Sequence, residues 1–157
     1  YPLMKRFTYW PQLFLGITFN YGLMLGWTSI KGEINIIPII FYLGAIFWTL
    51  GYDTIYGAQD MSDDEIIGLK STAIKFKKNI KLFVSANYLI VICLNIYLFK
   101  DFFGKNFFSL FMMVFILSLI FQIIYFKSNR KKNYLELFKL NNLSGLTLFL
   151  SIFSLSI

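Results

Sequence analysis

Histidine is absent from the 157 residues, and cysteine occurs once. The first absence excludes imidazole acid–base catalysis and His-ligated metal sites. The second excludes an internal disulfide; Cys93 lies in the apolar run 89–94 and reads as a small apolar filler. Charge is scarce as well: Asp, Glu, Lys and Arg together make up 15% of the chain, against about 25% in soluble domains. Gly/Ser linkers, internal repeats and low-complexity tracts are missing, so no domain boundary is visible. What is plentiful is apolar: 57% hydrophobic residues, 20% aromatic, and a mean hydropathy of +0.64. Such a chain cannot cover its surface with polar groups in water. A soluble enzyme, a disordered tail and a disulfide scaffold are set aside, and the chain reads as an all-α, polytopic membrane protein.

A bilayer core about 30 Å thick takes about 20 mostly apolar residues in helical form. Five stretches meet or approach this: 11–30, 34–52, 82–99, 106–126 and 140–157. None of the first four resembles a signal peptide, which is shorter and ends in a small-residue cleavage site. The fifth opens on polar residues, Asn141, Asn142 and Ser144.

The net charge of +7 is explained by topology better than by nucleic acid, because the bases lie between apolar spans. Short cytoplasmic loops are enriched in Lys and Arg. With the first segment cytoplasmic, that side holds Lys5, Arg6, Lys70, Lys75, Lys77, Lys78, Lys81, Lys127, Arg130, Lys131, Lys132 and Lys139. The other side holds only Lys31, Lys100 and Lys105. The long loop 52–81 is therefore expected to be cytoplasmic, and 127–132 reads as an anchor. In 66–81, apolar and basic residues alternate in blocks, the pattern of a helix lying in the interface with lysines toward anionic headgroups.

That loop concentrates acid. Asp53, Asp60, Asp63, Asp64 and Glu65 are five of the eight acidic residues. Acids contribute little to topology, so orientation does not account for them. Asp60 and Asp64 are four apart, which on a helix puts both on one face, about 5–6 Å apart at their β-carbons. Two readings stand side by side on spacing alone. One is a solvated loop paired with nearby lysines; the other is a hard-oxygen site for Mg²⁺, which commonly takes one or two carboxylates along with substrate phosphates. Asp53 closes the second span and fits either a helix end or a functional ionisable group. Lys5, Arg6 and Lys70 suit phosphate recognition as well as positive-inside anchoring.

The run YDTIYGAQDMSDDEIIGLKSTA at 52–73 closely resembles the second aspartate-rich motif of the UbiA prenyltransferases, in the form found in the branch that prenylates 4-hydroxybenzoate. YPLMKRFTYWPQ at 1–12 is similar to the segment that enters the fifth transmembrane helix of that branch, and the two matches lie in the right order and spacing. The resemblance implies a role for each matching residue. Asp60 and Asp64 fall on the D-x-x-x-D pair that holds Mg²⁺ on polyprenyl diphosphate, with Asp63 in support. Lys70 and Arg6 fall on basic positions expected to contact diphosphate or the aromatic carboxylate, with Lys5 beside them. Asp53 and Tyr56 would line or brace the pocket. Gly57 stands where many relatives carry alanine, and Lys75 and Lys77 flank Phe76 where some relatives continue apolar.

One departure is large: the family's first motif, N-D-x-x-D-x-x-x-D, is absent from these residues. Members have about nine membrane helices, so the chain is expected to be the C-terminal portion of a longer enzyme. The implied activity is transfer of a polyprenyl group to 4-hydroxybenzoate through an allylic cation, in ubiquinone biosynthesis, within a bacterial inner membrane or a mitochondrial one, the former favoured. Another acceptor (a naphthoate, homogentisate or haem) is the nearer alternative. A non-catalytic membrane protein is the alternative from a different class. A transporter would place ionisable residues within its spans, whereas here the charges gather at one interface.

Overall fold

The computed structural model describes residues 3–104, 106–126 and 132–156, and every element among them is helical. The physical reason lies in the composition. Hydrocarbon offers no water to backbone N–H and C=O groups, so an apolar segment satisfies them within a helix.

Among the described residues, nine α-helices follow in chain order: α1 (Met4–Phe7), α2 (Pro11–Phe19), α3 (Tyr21–Lys31), α4 (Ile36–Gly57), α5 (Met61–Ile67), α6 (Thr72–Lys75), α7 (Ile80–Phe99), α8 (Asn106–Tyr125) and α9 (Lys132–Phe153). Four segments among the described residues are long and apolar enough to cross a membrane: Pro11–Lys31, Ile36–Gly57, Lys77–Phe102 and Phe107–Tyr125. They coincide with the first four expected spans.

The differences from expectation are local. The first span is interrupted at Asn20, whose side-chain amide donates to the Gly16 carbonyl at 2.8 Å, to Thr49 Oγ1 at 2.8 Å and to the Ala45 carbonyl at 3.3 Å. The second runs on to Gly57, five residues past the expected end, so Asp53 and Tyr56 sit on a helix and not in a loop. Stretch 66–81 is not one interfacial helix. Gly68 at φ 79° ends α5, Ser71 caps α6, and a 3₁₀ turn at Lys77–Asn79 leads into α7.

The expected fifth span, 140–157, belongs to a helix that starts earlier, at Lys132, and does not reach the apolar content of the other four. Its polarity is turned inward. Ser144, Thr147 and Ser151 are buried, while Leu143, Leu146, Phe149 and Phe153 are exposed. The expected anchor, 127–132, falls outside the described residues as far as 131.

Helix α4 is the hub, packed against α2, α3, α7 and α9, with α8 closing over α7 and α9. Gly51 lies flat against the Tyr88 ring, which leaves no room for a Cβ there. Tyr88 Oη then donates to Gln122 Oε1 at 2.7 Å, and Gln122 Nε2 donates to Ser144 Oγ at 3.2 Å. This buried polar chain ties α7, α8 and α9 together, with each such bond worth about 0.6–2 kcal/mol in a membrane. The short helices α1, α5 and α6 gather at the end where α4 finishes.

Candidate functional site

The site is assembled from two distant parts of the chain. Pro11 can start α2 because proline lacks the N–H that the first helical position leaves unused, and the segment before it is left to fold back as α1. Gly68 takes the left-handed turn after α5, and the Leu69 amide donates to the Asp64 carbonyl at 2.8 Å. The next amide, that of Lys70, donates to the Lys5 carbonyl at 2.7 Å. The entry segment thereby lies on the aspartate-rich helix.

Side chains reinforce this docking. Lys5 Nζ donates to Asp64 Oδ2 at 3.0 Å, an ion pair in which the Asp64 side chain is 9% exposed and that of Lys5 24%. Lys70 Nζ reaches the Phe7 carbonyl at 3.4 Å and sits 5.5 Å from the centre of the Tyr9 ring. Beneath them Gln12, almost wholly buried, accepts from the Thr72 amide at 3.0 Å, and Thr72 Oγ1 meets Thr54 Oγ1 at 2.6 Å. Gly57 belongs to the same contact, since a Cβ there would come within 3.2 Å of Gln12 Nε2.

The residues singled out from the sequence are thus partly brought together. Asp64, Lys5 and Lys70 form one cluster. Asp60 stands at the N-cap of α5, its carbonyl accepting from the Asp64 amide at 2.8 Å. Asp53 is buried on α4, one helical turn before Tyr56, whose ring rests 4.8 Å from that of Phe138. Arg6 and Asp63 are exposed and do not join the cluster's described bonds. Glu65 pairs with Lys77 at 2.7 Å on the outer surface, so part of the acidity is the solvated, lysine-paired kind.

Gln12, Thr54 and Thr72 were not singled out as site residues. The sequence signals for Gln12 were its place at the end of the YPLMKRFTYWPQ match and just after the proline that starts α2. Gln12→Leu is expected to strand the Thr72 amide and to cost about 1–3 kcal/mol, read as a lower unfolding temperature in detergent.

No group of three His, Cys, Asp or Glu residues among the described ones is close enough to cage a metal. The donor set still fits Mg²⁺ in its usual manner, where one or two carboxylates act together with substrate phosphates and water. Asp60 and Asp64, one turn apart at the start of α5, are the two carboxylates that would serve; exposed Asp63 is not gathered with them into a third ligand.

A cavity of about 320 Å³ lies farther along α4, away from this cluster. It is lined by Phe19, Asn20, Trp48, Thr49, Tyr52, Phe138, Asn141 and Asn142, with no charged side chain.

Comparison with known proteins gives a consistent picture. Residues 1–144 match the UbiA prenyltransferase family. The mitochondrial 4-hydroxybenzoate polyprenyltransferase of Arabidopsis thaliana is 54% identical over 88 residues, which are 54% of this chain and 21% of that protein. The Homo sapiens protein of the same name is 55% identical over 86 residues, 54% of this chain and 23% of its own length. That of Caenorhabditis elegans is 53% identical over 87 residues, 55% and 24% respectively. The matched stretches therefore span less than a quarter of these relatives. No solved structure matches.

Proposed function

Because this chain belongs to the UbiA prenyltransferase family, we propose that it serves the transfer of a polyprenyl group from polyprenyl diphosphate to 4-hydroxybenzoate, at the ring carbon beside the hydroxyl, in ubiquinone biosynthesis. The observation that carries this reading is the docking of Lys5 onto Asp64, with Lys70 bonded through its backbone to Lys5. It collects two cations and the aspartate-rich helix at one end of the bundle, where a diphosphate can approach from the interface while its hydrocarbon tail stays in the bilayer.

In this reading Asp60 and Asp64 hold Mg²⁺. The ion supplies positive charge that stabilises the diphosphate as it leaves. Lys5 and Lys70 add to that field; a lysine is a compact point charge suited to phosphate oxygens. Arg6, exposed beside Lys5, is placed for an incoming substrate and not for the resting cluster. Asp53 and Tyr56, near the end of α4, line or brace the pocket in this reading. The apolar spans then serve the reaction's second need, since water captures an allylic cation.

An integral-membrane setting follows from the four apolar helices, with the cluster on the side that holds most of the basic loops. The relatives named are mitochondrial, which favours that membrane over a bacterial one. The carboxylate roles in this reading rest on the second aspartate-rich motif alone, at 52–73.

The test uses the protein as its cells make it, in lipid nanodiscs with labelled polyprenyl diphosphate. With 4-hydroxybenzoate, a naphthoate and homogentisate offered in turn, labelled 4-hydroxybenzoate is the expected product. EDTA is expected to abolish it and added Mg²⁺ to restore it. Transfer to another acceptor in preference, or transfer indifferent to EDTA, would overturn the proposal.

A further inference from the structure

We infer that Trp48 is a catalytic residue that stabilises the allylic cation, and that Asn141 is the positioning residue that sets its indole. This rests on the prenyl-transfer reading above and adds to it an assignment outside the two recognised motifs.

The cavity on α4 has the wrong lining for a diphosphate. It has aromatic and neutral polar walls, and no lysine or arginine. Beside Phe19, three further rings border it, Trp48, Tyr52 and Phe138. They form one continuous set: Trp48 meets Tyr52 edge-on at 6.3 Å, Tyr52 meets Phe138 at 5.8 Å, and Phe138 meets Tyr56 at 4.8 Å. Trp48 and Tyr56 are eight residues apart on α4, about 12 Å along its axis. The ring set therefore leads from the end of the helix nearest the aspartates down into the cavity. Aromatic faces attract cations, tryptophan most strongly.

Among these rings Trp48 is the most constrained. Its Nε1 donates to Asn141 Oδ1 at 3.0 Å, and Phe115 meets it edge-on at 5.3 Å. The far edge of the indole lies over Gly145, 3.5 Å from where a Cβ would stand, an ordinary packing distance. Asn141 is itself fixed, its Nδ2 donating to the Leu137 and Phe138 carbonyls at 3.2 and 3.1 Å. A ring held on several sides needs no reorganisation when charge develops beside it.

Two of the three asparagines that line the cavity have their amide nitrogens committed inward, while the third, Asn142, is exposed. The Asn20 amide bonds to Gly16, Ala45 and Thr49, and that of Asn141 to its own helix. Amides so engaged present few groups that would order a water nucleophile beside a cation.

The chemistry balances without another reactant. The allylic C–O bond breaks with its electron pair left on diphosphate. A π pair of the acceptor ring forms the new C–C bond, and the proton on that carbon passes to the released diphosphate. Water in place of the acceptor gives polyprenol and a proton, so the ratio of prenylated acceptor to polyprenol reports how well the cation is guarded.

The protein as cells make it is assayed in nanodiscs for kcat, KM and that ratio, beside binding of a non-reactive thiodiphosphate analogue. Trp48→Leu is expected to lower kcat about tenfold, a loss within the reach of one cation–π contact, with both KM values and analogue binding within about twofold and a larger share of polyprenol. Trp48→Phe, which keeps a ring, should recover most of the kcat. Asn141→Leu should lower kcat about threefold to tenfold with the same rise in polyprenol. Unchanged kcat and product ratio in Trp48→Leu would overturn the inference, and so would equal losses in the Leu and Phe variants. If Trp48→Leu does not accumulate, Trp48→Phe and Asn141→Leu decide by product ratio. Absence of transfer in the wild-type protein would overturn the parent reading, and with it this one.

Discussion

Asp64→Asn is expected to cut prenyl transfer about 10²–10³-fold, the loss that follows when one preorganised electrostatic partner is removed from a reacting centre. Asparagine keeps the shape of the side chain but loses its charge. Its amide N–H would also be turned on the ammonium of Lys5, which now donates to Asp64 Oδ2 from 3.0 Å away. Two separate effects are therefore expected. One is a weaker hold on Mg²⁺, seen as a rightward shift in a Mg²⁺ titration of activity. The other is loosening of α1 from α5, at a stability cost below the roughly 3 kcal/mol of a fully buried pair, since the Lys5 side chain is 24% exposed. Asp63→Asn is the control: that side chain is exposed, and its rate should stay within about threefold. Near-normal turnover in Asp64→Asn would sink the metal assignment.

Lys5→Met is expected to lower kcat/KM for polyprenyl diphosphate about 100-fold, equivalent to about 2.7 kcal/mol of transition-state stabilisation. Methionine keeps much of the stem's length and apolar character, so the loss reports the charge. The effect should appear in kcat as well as in KM, because negative charge on the leaving oxygen grows toward the transition state. Arg6→Met is expected to change the same constant less than about fivefold, since Arg6 is exposed and outside the cluster. Equal losses at the two positions would mean that the basic segment acts only as a diffuse field.

The contrast between Lys5 and Arg6 shows how far the sequence could be read. Both are basic, adjacent and part of one motif. Only the three-dimensional path of α1 decides which of them meets Asp64. The four apolar spans were legible because a charge-free run of about 20 residues has one stable form in hydrocarbon. The spacing of four left the acidic pair open between a solvated loop and a metal site, and only the family resemblance favoured the second. Gln12 was not, because its partner is a backbone amide 60 residues away. Trp48 and Asn141 are separated by 93 positions, and an asparagine in an otherwise apolar stretch reads as a defect until its partner is seen. The break at Asn20 was hidden for a similar reason: no proline or charge marks it, and the cause is a side-chain amide that serves carbonyls on two helices.

The inward polarity of α9 has a consequence for how the protein is made. A helix with Asn141, Ser144, Thr147 and Ser151 partitions poorly into lipid on its own. Ser144 has its hydroxyl 2.7 Å from that of Ser118 on α8 and accepts from Gln122 on the same helix. Helix α8, the most apolar of the four spans, can enter first and present those two groups to the helix that follows. Helices α8 and α9 are therefore expected to insert as one unit, with α9 held by its polar partners on α8 more than by the lipid.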